Sequence, residues 1–130
     1  WPTVAMSFRR ALEPHAVGGW TIPAGDTVVL SPWCVHRDPR WWSEPDAFRP
    51  ERWLDPAPPE RPRLAWFPFG AGPRFCIGEH FATMEGALIL ATIARRWRLV
   101  PTTAVLPSLD PTLGTRPPDA LRVRFVPRGA

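Results

Sequence analysis

Cysteine acts as a metal ligand or nucleophile only as its thiolate, so the surroundings of Cys34 and Cys76, the two cysteines of this chain, set the chemistry open to it. Cys76 lies in Phe67-Pro68-Phe69-Gly70-Ala71-Gly72-Pro73-Arg74-Phe75-Cys76-Ile77-Gly78, which runs directly into a stretch with helical spacing. That order predicts a thiol at a helix N-terminus, where unpaired backbone N–H groups and the positive dipole end stabilise a thiolate. Arg74 adds a cation nearby. Gly72 and Gly78 remove side chains on either side, so a large flat partner can approach the backbone closely. Phe69 supplies an apolar wall. A sulfur held ionised among backbone donors and shielded by aromatic rings suits a metal ligand. Cys34 has the opposite surroundings, between Trp33 and Val35 with neither glycine nor arginine beside it, and reads as filler of an apolar core. Two cysteines are too few for a disulfide framework, and no C-x-x-C spacing offers a zinc ribbon.

Other reactive side chains have plainer readings. His36 has no second histidine at ligand spacing and is expected to be a hydrogen-bonded structural residue. Glu79 and His80 fall in the first turn of the helix, facing solvent. Asp38, Glu44, Asp46 and Glu51 lie in a proline-rich stretch and are expected to pair with neighbouring arginines rather than act as a catalytic pair. Gly70-x-Gly72 is no dinucleotide loop, because position 75 is Phe and no strand run precedes it. The eight tryptophans show no stacking platform, and packing of a helix-poor core is the expectation for them.

The elements that must position Cys76 follow from pattern. Residues 1–14 read as an extended lead-in. Val17 to Ile22 reads as a short strand, with Asp26 to Leu30 as its hairpin partner across Pro23-Ala24-Gly25. Ser31-Pro32 opens a short helix that Asp38-Pro39 stops. Trp41 to Pro68, broken by prolines throughout, is a long meander, and long ordered loops usually serve a function. Ile77 to Arg96 is a helix, with Ile77, Phe81, Met84, Leu88, Ala91 and Arg95 along one stripe, and Pro101 beyond its end. Residues 121–126 alternate as an edge strand. The fold class expected for the segment is α+β and loop-rich, with one long helix after the Cys76 loop.

Composition bounds these readings. The chain has 130 residues, 45% of them hydrophobic, with 19 prolines and 9 glycines, enough for one modest folded unit. The net charge is +4, carried entirely by arginine. Those arginines are scattered in runs no longer than two, whereas a nucleic-acid surface gathers them on one face, so no nucleic-acid partner is expected. The apolar stretch Ala87 to Ala94 is far short of the roughly 20 residues that span a bilayer. The chain opens on Trp1-Pro2-Thr3 with no initiator Met and no signal segment, and reads as the interior of a longer protein.

Phe69-x-x-Gly72-x-Arg74-x-Cys76-x-Gly78 resembles the haem-binding signature of the cytochrome P450 superfamily, with all of its characteristic positions filled. His36-Arg37-Asp38-Pro39 with Trp41-Trp42 is similar to the family's segment after its short helix, and Phe48-Arg49-Pro50-Glu51-Arg52-Trp53 to its meander motif. Trp1-Pro2-Thr3 with Arg9 resembles the strand that follows the family's Glu-x-x-Arg helix. The resemblance covers most of the chain, in the right order.

It implies a mainly α family fold with small β-sheets, of which residues 1–130 are the C-terminal part: strand hairpin, meander, Cys-ligand loop, long helix and terminal strands. Cys76 would be the axial thiolate of haem b iron, and thiolate ligation favours O–O cleavage. Arg74 and Arg9 would hold the haem propionates, Phe69 would pack near the sulfur, and Gly72 and Gly78 would border the haem. The implied reaction inserts one oxygen atom of O2 into a small apolar substrate, with electrons from a ferredoxin, a flavodoxin or a reductase domain, in the cytoplasm. Only Val4 to Ser7 and Thr112 to Gly114 would reach the substrate. The other reading is a haem-binding or haem-sensing module without catalysis. No catalytic residue is expected within the segment, since the family's oxygen-activating helix lies upstream. Arg52 would join a buried charge network with the Glu-x-x-Arg helix and, without it, stand as a cation lacking partners. Arg61 and Arg63 would help dock an acidic electron donor.

Overall fold

Paired glycines decide the first departure from the sequence pattern. The structure, a computed structural model, describes residues 2–54, 56, 58–103, 115, 117 and 120–129. Gly18 and Gly19 both adopt positive φ, +56° and +84°. Those angles suit a two-residue hairpin turn, which needs left-handed backbone at both central positions. The expected single strand from Val17 to Ile22 is therefore split into β2 (His15–Val17) and β3 (Trp20–Ile22), which pair with each other, Val17 opposite Trp20. β4 (Thr27–Leu30) pairs instead with β1 (Ser7–Arg10), inside the expected lead-in, with Arg9 opposite Val28.

Ser31 caps α1 (Pro32–Val35): its hydroxyl accepts the Cys34 N–H at 3.2 Å and donates to the Ala5 carbonyl at 3.2 Å. Only Pro32 of α1 is buried, and Cys34 is exposed rather than in a core. A one-turn helix buries a single edge, and position 34 faces away from it. The meander then runs through 3-10 turns at Pro50–Trp53 and Arg63–Ala65.

With so little regular structure, aromatic packing does the holding. Trp42, 3% exposed, donates its indole N–H to the Ala65 carbonyl at 3.2 Å. Trp53 and Trp66 lie 5.5 and 5.6 Å from its ring, and the Arg61 guanidinium sits 4.2 Å over it. Asp38 pairs with Arg40, Glu44 with Arg49 and Asp46 with Arg37 as expected, whereas Glu51 forms no ion pair among the described residues.

The chain divides into two compact units, Trp1–Pro68 with Pro111–Thr115, and Phe69–Asp110 with Arg116–Ala130. The second holds a 3-10 turn at Gly72–Arg74, α2 (Glu79–Arg96) and an antiparallel ribbon of β5 (Trp97–Pro101) and β6 (Val123–Pro127). The helix ends at Arg96 as the pattern placed it, and β5, a strand the pattern did not include, follows at once: the chain passes directly into extended backbone at Trp97, whose N–H still closes the last turn on the Ile93 carbonyl. Phe81, Met84 and Leu88 on the α2 stripe are exposed. No helix among the described residues is long and apolar enough to cross a membrane.

Replacing Trp42 by Phe removes the N–H together with one of the two fused rings and leaves the Ala65 carbonyl buried without its donor, for a loss of at least about 1–3 kcal/mol. Trp42→Ala removes the ring as well and costs about 3–5 kcal/mol. Denaturant unfolding of the two variants reads the difference.

Candidate functional site

The Cys76 loop is closed on itself by backbone. The Cys76 N–H donates to the Phe69 carbonyl at 2.9 Å, and the Phe75 N–H to the Gly72 carbonyl at 3.0 Å. Gly70 and Gly72 take φ of +78° and +71°, a region a Cβ disfavours. A Cβ added at Gly72 would meet nothing within 4 Å, so the backbone there faces open space. One added at Gly78 would lie 3.8 Å from the Cys76 sulfur. The sulfur is free and exposed.

Cys76 stands slightly outside the position expected for it. Gly78, at φ −88° and ψ 4°, is the N-cap, and α2 begins at Glu79, two residues later than the pattern placed it. The thiol therefore lies two residues ahead of the cap instead of immediately before the first helical residue. Its side is not walled in: Phe75 is exposed and Phe69 half-buried. Phe69, Gly72, Arg74, Cys76 and Gly78 all lie in the second compact unit, with Arg74 exposed in the 3-10 turn. Arg9 belongs to the first unit, on β1, where its guanidinium donates to the Phe8 carbonyl at 2.8 Å. Val4 and Met6 are exposed and Ala5 is buried. Thr112 to Gly114 lie outside the described residues.

Two arginine expectations change. Arg52 is not without partners: Nη1 donates to the Ser43 carbonyl at 3.0 Å and Nη2 to those of Glu44 and Ala47, each at 3.2 Å. A guanidinium can satisfy several carbonyls at once, so backbone here takes the place of a carboxylate. Arg61 is not a free rim charge, being half-buried on the Trp42 ring, whereas Arg63 is exposed. A cavity of about 380 Å³ opens beside this cluster, lined among others by His36, Arg49, Arg52, Trp53 and Trp66.

His36 is buried, and its Nε2 accepts the Phe67 N–H at 2.9 Å. The sequence pointed to a bonded structural histidine but not to its partner, which stands 31 positions away. Local spacing carries no signal at that range. Burial lowers its pKa from the ordinary 6.5 to about 4, with the positive charge of Arg37 contributing.

The chain belongs to the cytochrome P450 family, whose sequence profile, described as "Cytochrome P450", matches residues 1–125. It is 38% identical to cyclooctatin synthase of Streptomyces melanosporofaciens over 119 residues, covering 90% of this chain and 26% of that protein. It is 44% identical to cyclooctat-9-en-7-ol 5-monooxygenase of the same organism over 78% of this chain and 22% of that protein. The fold superposes on a retinoic acid-bound cyanobacterial CYP120A1 with a TM-score of 0.89 at 30% identity, covering 98% of this chain and 29% of that structure. The chain thus spans about a quarter of the length of the relatives it matches. Haem b is the family's cofactor, and the loop suits it: the sulfur is accessible, and the glycines leave the backbone bare where a flat ring would approach.

The two glycines differ in what a methyl group costs the fold. Gly72→Ala forces a Cβ into left-handed backbone and loses about 1–2 kcal/mol. Gly78→Ala, at ordinary φ with an ordinary 3.8 Å contact, leaves unfolding midpoints nearly unchanged. A second expectation concerns acid. An unfolded chain protonates His36 near pH 6.5, whereas the folded one resists until about pH 4. The neutral ring's contribution is complete above pH 6.5 and is lost as pH falls from 6.5 to 4. Thermal melts across that window fall more steeply for the native sequence than for His36→Gln.

Proposed function

We propose that this chain supplies the iron-ligand segment of a haem-thiolate monooxygenase, in which the Cys76 thiolate would hold the iron of haem b. The observation that carries this reading is the exposed sulfur on a loop closed by the Phe69 carbonyl, with glycine at 72 and 78. When bound, the haem supplies an iron centre at which O2 is activated and one oxygen atom is inserted into an apolar organic substrate. The chain's own residues bind and orient it. Cys76 contributes one negative donor atom. Arg74 in the turn and Arg9 on β1 contribute cations suited to propionates, pairs that gain strength from charge-assisted hydrogen bonds. Gly72 and Gly78 keep bulk away, and Phe69 borders the sulfur. A ferredoxin, a flavodoxin or a reductase domain would deliver the electrons, and the exposed Arg63 suits an acidic donor.

Relatives several times longer share the segment. Oxygen activation and substrate binding are therefore assigned to the complete gene product, in the cytoplasm, and the 130 residues alone are expected neither to hold haem firmly nor to turn over.

The test is the ferrous carbonyl spectrum of the complete gene product. The native sequence is expected to give the strongly red-shifted Soret band of a thiolate ligand, and Cys76→Ser to abolish it. A serine variant that keeps the band overturns the assignment of Cys76. The same band in residues 1–130 with added haemin overturns the need for the rest.

A further inference from the structure

Two side chains of the first unit fasten the backbone just ahead of the Cys76 loop. Trp42 holds the Ala65 carbonyl, and His36 holds the Phe67 N–H. Pro68 has no N–H, so Phe67 offers the last backbone donor before Phe69, the residue whose carbonyl receives the Cys76 N–H. His36 is 6% exposed, its ring centroid 4.2 Å from that of Trp66 and 5.1 Å from that of Phe67. With Nε2 accepting, the neutral ring carries its proton on Nδ1, and this buried nitrogen has no hydrogen-bond partner among the described residues. A leucine or phenylalanine would fill such a place without an unpaired ring nitrogen, but it would leave the Phe67 N–H without its acceptor. What a histidine adds is the acceptor at Nε2.

We propose that His36 is a positioning residue for the iron ligand: its Nε2 fixes Phe67, and through Pro68 and Phe69 the point from which the Cys76 loop springs. Nothing in this role requires His36 to touch haem or substrate. The inference rests on the haem-thiolate reading for its readout, and the experiment separates the two.

The test compares His36→Gln with His36→Asn in the complete, haem-loaded gene product. The glutamine amide oxygen reaches roughly where Nε2 stands, whereas that of asparagine stops near Nδ1. His36→Gln is expected to keep the native ratio of red-shifted to short-wavelength ferrous carbonyl band. His36→Asn is expected to lower it about fivefold, which corresponds to about 1 kcal/mol, the net worth of one hydrogen bond. Equal ratios in the two variants overturn the proposal. So does failure of both to take up haem, which would show that the ring's packing matters and its acceptor does not. A native protein without the red-shifted band overturns the haem-thiolate reading itself, whatever the variants do.

Discussion

The hydrogen bond from the Cys76 N–H to the Phe69 carbonyl is the constraint on which the site depends. It turns a flexible glycine-containing stretch into a closed loop and fixes the backbone that carries the sulfur. Positive φ at Gly70 and Gly72 lets the chain bend sharply enough for that bond to form. Gly78 then ends the loop and starts α2. The same glycines that permit the bend leave the backbone bare, so one choice of residue serves both folding and access.

Upstream, the protein solves a different problem. A proline-rich meander cannot satisfy its backbone with ladders, because proline lacks the donor. Side chains substitute. Trp42 takes the Ala65 carbonyl, His36 takes the Phe67 N–H, and Arg52 gathers the carbonyls of Ser43, Glu44 and Ala47. Among the described residues, Glu44 is the non-glycine residue held at positive φ, +47°, and both its carbonyl and its carboxylate are engaged, by Arg52 and Arg49. Strain of that kind persists where surrounding contacts over-determine the backbone.

The legible parts of the sequence were those with local causes. The cap at Ser31, the α2 periodicity, the ion pairs of the acidic meander residues and the spacing around Cys76 all act within a few positions. What escaped had distant or cooperative causes. The two-glycine turn was visible in the sequence, yet the apolar residues around it drew attention to one strand instead of two. β4 pairs with β1 because the intervening β2–β3 hairpin folds on itself, which no strand pattern states. Cys34 looked apolar in company, but a helix of one turn cannot bury all its sides. Arg52 looked orphaned because backbone carbonyls are not written in a sequence.

That arginine clasp also explains why the position suits arginine and not lysine. A guanidinium presents several N–H donors in one rigid plane, whereas an ammonium is a compact point charge on a flexible stem. Three carbonyls spread along one bend, those of Ser43, Glu44 and Ala47, are gathered by two nitrogens of that plane, so a single side chain shapes a turn that no ladder supports.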